Sequence, residues 1–401
     1  MITDRQLFLL HLGQTSKDPL LLEITRAEGV YMYGPTGQKY LDLISGVSVS
    51  NTGHRHPRVI AAIREQTEAY LHLMVYGELV QSPQIKYARL IVSLLPVSLD
   101  NCYFVNSGSE AVEGALKLAK KYTGRKKIIY FSNAYHGSTH GALSVQGSDK
   151  YRESFKPLLP ETQQIGFNDF SALGAIDDST ACVIIEPVQS EAGIINPAEG
   201  FLEEIRQRCN DKGALLIFDE VQTGFGRTGS LFAIDRFGVI PDILVLAKAL
   251  GGGMPLGAFI SSREIMSALI EEPQLGHITT FGGHPVCCAA GLASLSVILE
   301  EKLTEQCEAK SAVFKRELRH KLIKEIRGEG LLLAVRLADP EYVRYAIKNA
   351  PRHGIILDYF LFCDDAFRIA PPLTISNDEI NTACRQIISL LDDAMKNRKK
   401  G

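Results

Sequence analysis

Between about residues 100 and 260, six short aliphatic runs alternate with helical patterns: "NCYFVN", "KKIIYFS", "ACVIIEPV", "ALLIFDEV", "DILVLAK" and "LGAFIS". Each run is nearly continuous rather than alternating apolar with polar, so each predicts a strand buried on both faces. Strands of that kind belong to a mostly parallel sheet between helices, an α/β architecture. Such a sheet binds ligands outside the carboxyl ends of its strands, so the last residues of every run carry the functional information.

Three of those ends are charged. "LLIFDEVQTG" delivers Asp219 and Glu220, "VIIEPVQSEAG" delivers Glu186, and "DILVLAKALGGG" delivers Lys248. A carboxylate ending an apolar strand must find a partner or leave the core. A lysine there either snorkels to water or is held partly dry, where desolvation makes its neutral amine a usable nucleophile. Any one of them is explained by capping or snorkelling. Three on successive strands build one polar site.

Two further strand ends add to it. "VNSGSEA" puts Ser107, Gly108 and Ser109 before the helical pattern "SEAVEGALKLAKKY", whose Ala111, Ala115, Leu118, Ala119 and Tyr122 form one buried face. Free backbone N–H groups at such a junction favour a phosphate, although taken alone an ordinary N-cap by Ser107 or Ser109 is the simpler account. "NAYHGSTHG" brings Tyr135 and His136 after "KKIIYFS". A phosphate cradle, a flat aromatic, a buried carboxylate and a lysine are together what pyridoxal 5'-phosphate (PLP) requires.

Other chemistries lack their residues. "GFGRTG", residues 224–229, matches GxGxxG, but "SLFAIDRFGVIPD" after it opens no long crossover helix, so it is a glycine-rich loop rather than a dinucleotide fingerprint. No Walker lysine follows "NSGSE", no serine reads GxSxG, and no HExxH or Cys/His pair has metal-ligand spacing, so no metal is expected. The 401 residues are 45% hydrophobic and 22% charged with a formal net charge of -3, which suits a globular protein acting on small molecules rather than on nucleic acid or membranes. Eight cysteines without a CxxC pair read as core residues of a reducing compartment, and "LFLLHL" is too short for a signal core or a span. A cytoplasmic location is expected.

The end of the chain forms a second, smaller α/β layer: "PEYVRYAIKNA" a helix, "HGIILDYFLF" a strand, and "SNDEINTACRQIISLLDDAMKNRKK" a final helix capped near Ser376 to Asp378, with a solvated basic end from Lys396 to Lys400. The expected division is an N-terminal segment of a small domain over 1–48, a large ligand-binding domain over 49–290 and a C-terminal small domain over 291–401.

"IFDEVQTGFGRTG", "LAKALGGGMPLGAF" and "TTFGGHP" together resemble the class III, or ω-amino-acid, aminotransferases of PLP fold type I, in particular the acetylornithine and ornithine enzymes. The likeness runs from about Leu22 to the last helix. It implies a large domain with a mostly parallel seven-stranded sheet and a small α/β domain built from both chain ends. It also implies a Schiff base on Lys248, which then moves the proton between substrate and cofactor. Asp219 is expected to meet the pyridine nitrogen, Val221 and Tyr135 the two ring faces, Gln222 the ring hydroxyl, and Gly108 and Ser109 the phosphate. Ser107, His136 and Glu186 complete the cofactor set. Thr280 is expected to complete the phosphate site of a neighbouring subunit, which implies a homodimer with shared sites.

Glu191 in "EPVQSEAG" and Arg368 in "AFRIAPPL" match the family's pair in which the glutamate screens the arginine until a carboxylate substrate takes it bidentately. The implied reaction passes an amino group from an ω-amino acid of the ornithine, acetylornithine or 4-aminobutyrate type to a 2-oxo acid, 2-oxoglutarate first among them, by a ping-pong cycle. An amine or ω-amino acid:pyruvate transaminase is the alternative, and a fold-related aminomutase or decarboxylase a more distant one. Two positions depart from the acetylornithine and ornithine pattern: Ser138 stands where an arginine is usual, and His284 where an asparagine is usual. Arg55 in "NTGHRHP" is the expected substitute cation.

Overall fold

A computed structural model describes residues 2–75 and 77–398. All six aliphatic runs are strands, and they lie in one seven-stranded sheet. Its spatial order is Asn101–Val105, Gly257–Ser261, Ile243–Leu246, Leu215–Asp219, Thr180–Ile185, Lys127–Phe131 and Thr162–Ile165. Every pairing is parallel except the two made by Gly257–Ser261, which runs against both of its neighbours.

Both faces are covered, as the uninterrupted runs require. Ile128, Tyr130, Ile184, Ile217, Val245 and Phe259 pack with the buried face of helix Gly108–Thr123. Ile129, Phe131, Val183, Leu216, Phe218 and Leu244 belong to the larger core on the other side. Tyr122 departs from the expected buried face of that helix. It sits in the last turn, is exposed, and donates its hydroxyl to Glu264 at 2.8 Å.

Two four-stranded sheets hold the chain ends. One joins Arg26–Glu28, Tyr31–Tyr33 and Lys39–Asp42 to Ile355–Ile356, and the other joins Ile323–Glu329, Leu332–Leu337, Ala366–Ile369 and Asp358–Tyr359. The segment "HGIILDYFLF" is therefore not one strand. It crosses at Leu357 from a parallel pairing with Lys39–Asp42 to an antiparallel one with Ala366–Ile369, because each sheet has an edge for only part of it. Helix Pro340–Asn349 is capped by Asp339, and helix Asn377–Arg398 is preceded by Ser376, whose hydroxyl and backbone both engage Glu379. Lys399 and Lys400 of the expected basic end lie outside the described residues. No described helix is long and apolar enough to cross a membrane.

Candidate active site

The carboxyl ends of five parallel-running strands open into one cleft of about 360 Å³. The end of Asn101–Val105 brings Asn106, Ser107, Gly108 and Ser109 to its wall; Lys127–Phe131 is followed by Tyr135, His136 and Gly137; Thr180–Ile185 ends at Glu186; Leu215–Asp219 supplies Asp219, Val221 and Gln222; Ile243–Leu246 leads to Ala247 and Lys248. The expected cofactor residues thus converge, with the exception of Thr280. That residue is exposed outside the cleft walls of its own chain.

The phosphate end is built from a helix start. Ser107 caps helix Gly108–Thr123 by accepting the Glu110 N–H at 3.2 Å, so the first backbone N–H groups have no partner inside the helix and face the cleft. Gly108 is required there: a Cβ would come within 3.2 Å of Val221 Cγ1 and 3.4 Å of Ala247. Gly137, with φ +126, leaves room for Ser109, whose hydroxyl accepts the Ser138 N–H at 3.2 Å.

The acids divide by direction. Successive side chains of a strand point to opposite faces, so Asp219 enters the cleft and Glu220 does not. Asp219 Oδ2 lies 2.7 Å from His136 Nδ1 and its Oδ1 accepts the Val221 N–H at 3.0 Å. Glu220 is fully buried and accepts the N–H groups of Ala233 and Ile234 at 2.5 and 3.0 Å, holding the start of helix Ala233–Phe237. Glu186 accepts from Tyr135 N–H at 2.7 Å and Ser190 N–H at 2.9 Å, and burial pushes its pKa up to about 7. It fixes the backbone that carries the aromatic ring.

Lys248 Nζ donates to Gln222 Oε1 at 2.9 Å. Burial holds its pKa below the usual lysine range, with Glu191 opposing and Arg368 assisting, so neutral amine is more accessible than on a surface lysine. Its backbone is left-handed at φ +51, a costly conformation for a residue with a side chain and one found at sites where geometry is imposed.

Arg368 is 1% exposed on strand Ala366–Ile369 and donates from Nη2 to Glu191 Oε1 at 2.6 Å. Glu191 lines the cleft and Arg368 lies behind it, its guanidinium 4.7 Å from the Phe360 ring, its Nη1 4.0 Å from Asp358 Oδ2, and its Nε and Nη1 without hydrogen-bond partners among the described residues. Ser138 is exposed, 3.3 Å from the Tyr135 hydroxyl. Arg55, the expected substitute cation, is exposed at φ +56 and lies outside the cleft walls of its own chain. Val49 is a wall residue that the sequence did not single out. It is uncharged and more than 50 residues before the first strand of the sheet, and no pattern marks it.

The chain matches the model of the family described as aminotransferase class-III over residues 12–391. The chain belongs to the class III aminotransferases. Among similar members is the acetylornithine aminotransferase of Methanopyrus kandleri, 42% identical over 386 residues, covering 95% of this chain and 96% of that one. A [LysW]-aminoadipate semialdehyde/glutamate semialdehyde transaminase of Sulfurisphaera tokodaii is 41% identical over 337 residues, with 82% and 86% covered. The ornithine aminotransferase of Toxoplasma gondii superposes with a TM-score of 0.90 at 32% identity, covering 99% and 96%, and an (S)-enantioselective ω-transaminase of Thermomicrobium roseum with 0.88 at 32%, covering 96% of each.

The cofactor of this class III aminotransferase is PLP. The cleft fits it: a side-chain-free helix start for a phosphate, a buried carboxylate, an amine of lowered pKa, and two buried polar atoms of lining residues, His136 Nε2 and Gln222 Nε2, with no hydrogen-bond partner among the described residues.

Proposed function

We propose that the protein transfers an amino group from an ω-amino acid of the ornithine, acetylornithine or 4-aminobutyrate type to a 2-oxo acid, 2-oxoglutarate first among them, in two half-reactions at one site. The observation that carries this reading is the buried Arg368, hydrogen-bonded to Glu191 through Nη2, with Nε and Nη1 free of hydrogen bonds among the described residues and the Asp358 carboxylate 4.0 Å from Nη1. A guanidinium in that state is ready to take a carboxylate bidentately once Glu191 turns away. Similarity to the acetylornithine aminotransferase of Methanopyrus, the semialdehyde transaminase of Sulfurisphaera and the ornithine aminotransferase of Toxoplasma supports the donor class.

When bound, PLP supplies an aldehyde that carries the amino group and a conjugated ring that takes up electrons as a substrate proton leaves. Lys248 would be the amine that holds the aldehyde and whose Nζ would move the substrate proton. Asp219 would present its charge to the ring nitrogen, Val221 and Tyr135 would bracket the ring, and Gln222 would meet its hydroxyl. Ser107, Gly108 and Ser109 hold the phosphate. His136 orients Asp219, and Glu186 positions Tyr135.

The working unit in this reading is a homodimer in which Thr280 completes the neighbour's phosphate site. Exposed Leu71, Leu73, Met74, Leu79 and Val80 lie in the segment joined to Phe281 and His284 by the His72 ring, and this apolar surface adjoins Thr280. The division at residues 48/49 and 290/291 is kept as a proposal, supported by the two smaller sheets that gather the chain ends. Eight free cysteines support a reducing, cytoplasmic setting.

A pyruvate-using transaminase is the second reading, favoured by a serine at position 138 and by likeness to the Thermomicrobium enzyme. A panel of amino donors crossed with 2-oxoglutarate and pyruvate separates the two. Turnover with pyruvate alone rejects the first reading, and turnover without any oxo acid rejects both in favour of a mutase or decarboxylase.

A further inference from the structure

The "GFGRTG" loop has no part in the chemistry above, yet its arginine shares with Arg368 the place of largest fully buried side chain among the described residues. Arg227 donates from Nη1 to the carbonyls of Leu331 and Pro371 at 3.0 and 2.5 Å, and from Nη2 to Ser45 Oγ at 3.2 Å and to Asn51 Oδ1. All four partners are neutral. Burial pulls its pKa down to about 10, against the pull of Cys307 and Asp42. An arginine buried on neutral acceptors is a costly arrangement, and its partners belong to three separate parts of the chain.

One of those parts is strained. Ser45, Gly46, Val47 and Ser48 have φ of +44, +63, +60 and +65 in succession, and a β-branched valine in that region is a genuine outlier. Such a segment persists only where its surroundings over-determine it. Asp42 Oδ1 accepts the N–H groups of Ile44 and Ser45 at 2.9 and 2.8 Å, and Ser45 Oγ donates to Ala370 O at 2.7 Å. Asn51 Nδ2 donates to Phe225 O at 2.9 Å, in the same loop as Arg227.

The strained segment packs against the turn Lys248–Gly251, and the next residue, Val49, is a wall of the cleft. Ala370, two residues past Arg368, donates its N–H to Leu43 O at 2.7 Å. One guanidinium therefore ties the Val49 wall and the end of the Arg368 strand to the loop that follows Asp219 and Gln222.

We propose that Arg227 is a positioning residue for substrate: it clamps the strained segment 45–48, and so holds Val49 and Arg368 in register with Lys248, while leaving the cofactor contacts to other residues. This rests on the reading above, in which Arg368 takes a substrate carboxylate, and on Val49 lining the cleft.

The test uses full-length, cofactor-loaded Arg227→Lys and Ser45→Ala. For each, the cofactor dissociation constant, the KM and kcat for donor and acceptor, and hydrogen–deuterium exchange over residues 43–51 are measured. The clamp predicts a cofactor constant within twofold of the unaltered protein, KM raised tenfold or more, kcat within threefold, and faster exchange at 43–51. Unchanged KM in a folded variant overturns it, as does a cofactor constant that weakens in step with KM, which marks a merely structural role. If Arg227→Lys does not fold, Ser45→Ala decides by the same criteria. Inactivity of the unaltered protein across the donor panel rejects the functional reading instead; unchanged exchange at 43–51 in both variants then still overturns the clamp.

Discussion

Nδ1 of His136 lies 2.7 Å from Oδ2 of Asp219, and both side chains are sealed from solvent. With the Val221 N–H on the other oxygen, the carboxylate is fixed in orientation before anything enters the cleft. Preorganised charge of this kind is worth far more in a dry site than in water.

Replacing Asp219 by Asn keeps the shape and removes the charge. We expect kcat/KM to fall by about 10²-fold or more, the scale of losing one preorganised electrostatic partner. His136→Phe, which removes only the orienting contact, is expected to cost about tenfold, the value of one charge-assisted hydrogen bond. Steady-state kinetics of both variants checks the ranking, and a smaller loss for Asp219→Asn than for His136→Phe contradicts the assignment.

Lys248→Ala removes the amine. Turnover is expected to drop by about 10⁴-fold, the upper range for a missing general acid–base. Borohydride reduction followed by peptide mapping should fix the cofactor on Lys248 in the unaltered protein and nowhere in the variant. Cofactor fixed on another lysine of the unaltered chain removes Lys248 from its role.

Arg368→Gln breaks the pair with Glu191 and takes away the waiting guanidinium. The KM for 2-oxoglutarate should rise by about 10²-fold, from loss of two charge-assisted hydrogen bonds. Pyruvate offers the same α-carboxylate and should lose in the same direction, whereas an amine donor without a carboxylate should keep its constants within about threefold. An equal loss for the carboxylate-free amine places Arg368 outside carboxylate binding.

The existence of six of the seven strands was legible because burial on both faces leaves an aliphatic run that nothing else explains, although their spatial order was not. Thr162–Ile165 escaped because it is an edge strand in which Gln163 and Gln164 are exposed and only Ile165 is buried. Asp219 and Lys248 stood out as charges at the ends of such runs. Which of Asp219 and Glu220 entered the cleft was not readable from composition, since it depends on the pleat. Val49 arrives through a strained turn held by groups up to 325 residues away, as in the Ser45–Ala370 contact, and no local pattern encodes that.

Stability should fall with rising pH across one window. Burial raises Glu186 from 4.5 to about 7, with His136 opposing and Asp219 reinforcing. Between those two values the folded state binds a proton that the unfolded chain has released, so rising pH favours unfolding by up to about 1.4 kcal/mol per pH unit. Glu220, also raised to about 7, acts in the same direction. Glu186→Gln should remove one proton's share of the slope in urea unfolding of cofactor-free protein at pH 5, 6 and 7. An unaltered slope refutes the assignment.

The strand Gly257–Ser261, the one that runs against its neighbours, pairs Ala258 with Leu246 and Phe259 with Val245 across the short connection 247–256. The other pairing of the strand that leads to Lys248, parallel to Leu215–Asp219, is closed by the longer crossover 220–242. The lysine thus sits in the most local contact of the sheet, where little loop-closure entropy opposes pairing. It can be set in place early in folding, while Asp219 and Glu186 wait for the parallel crossovers, so the cleft is assembled around its amine rather than delivered to it.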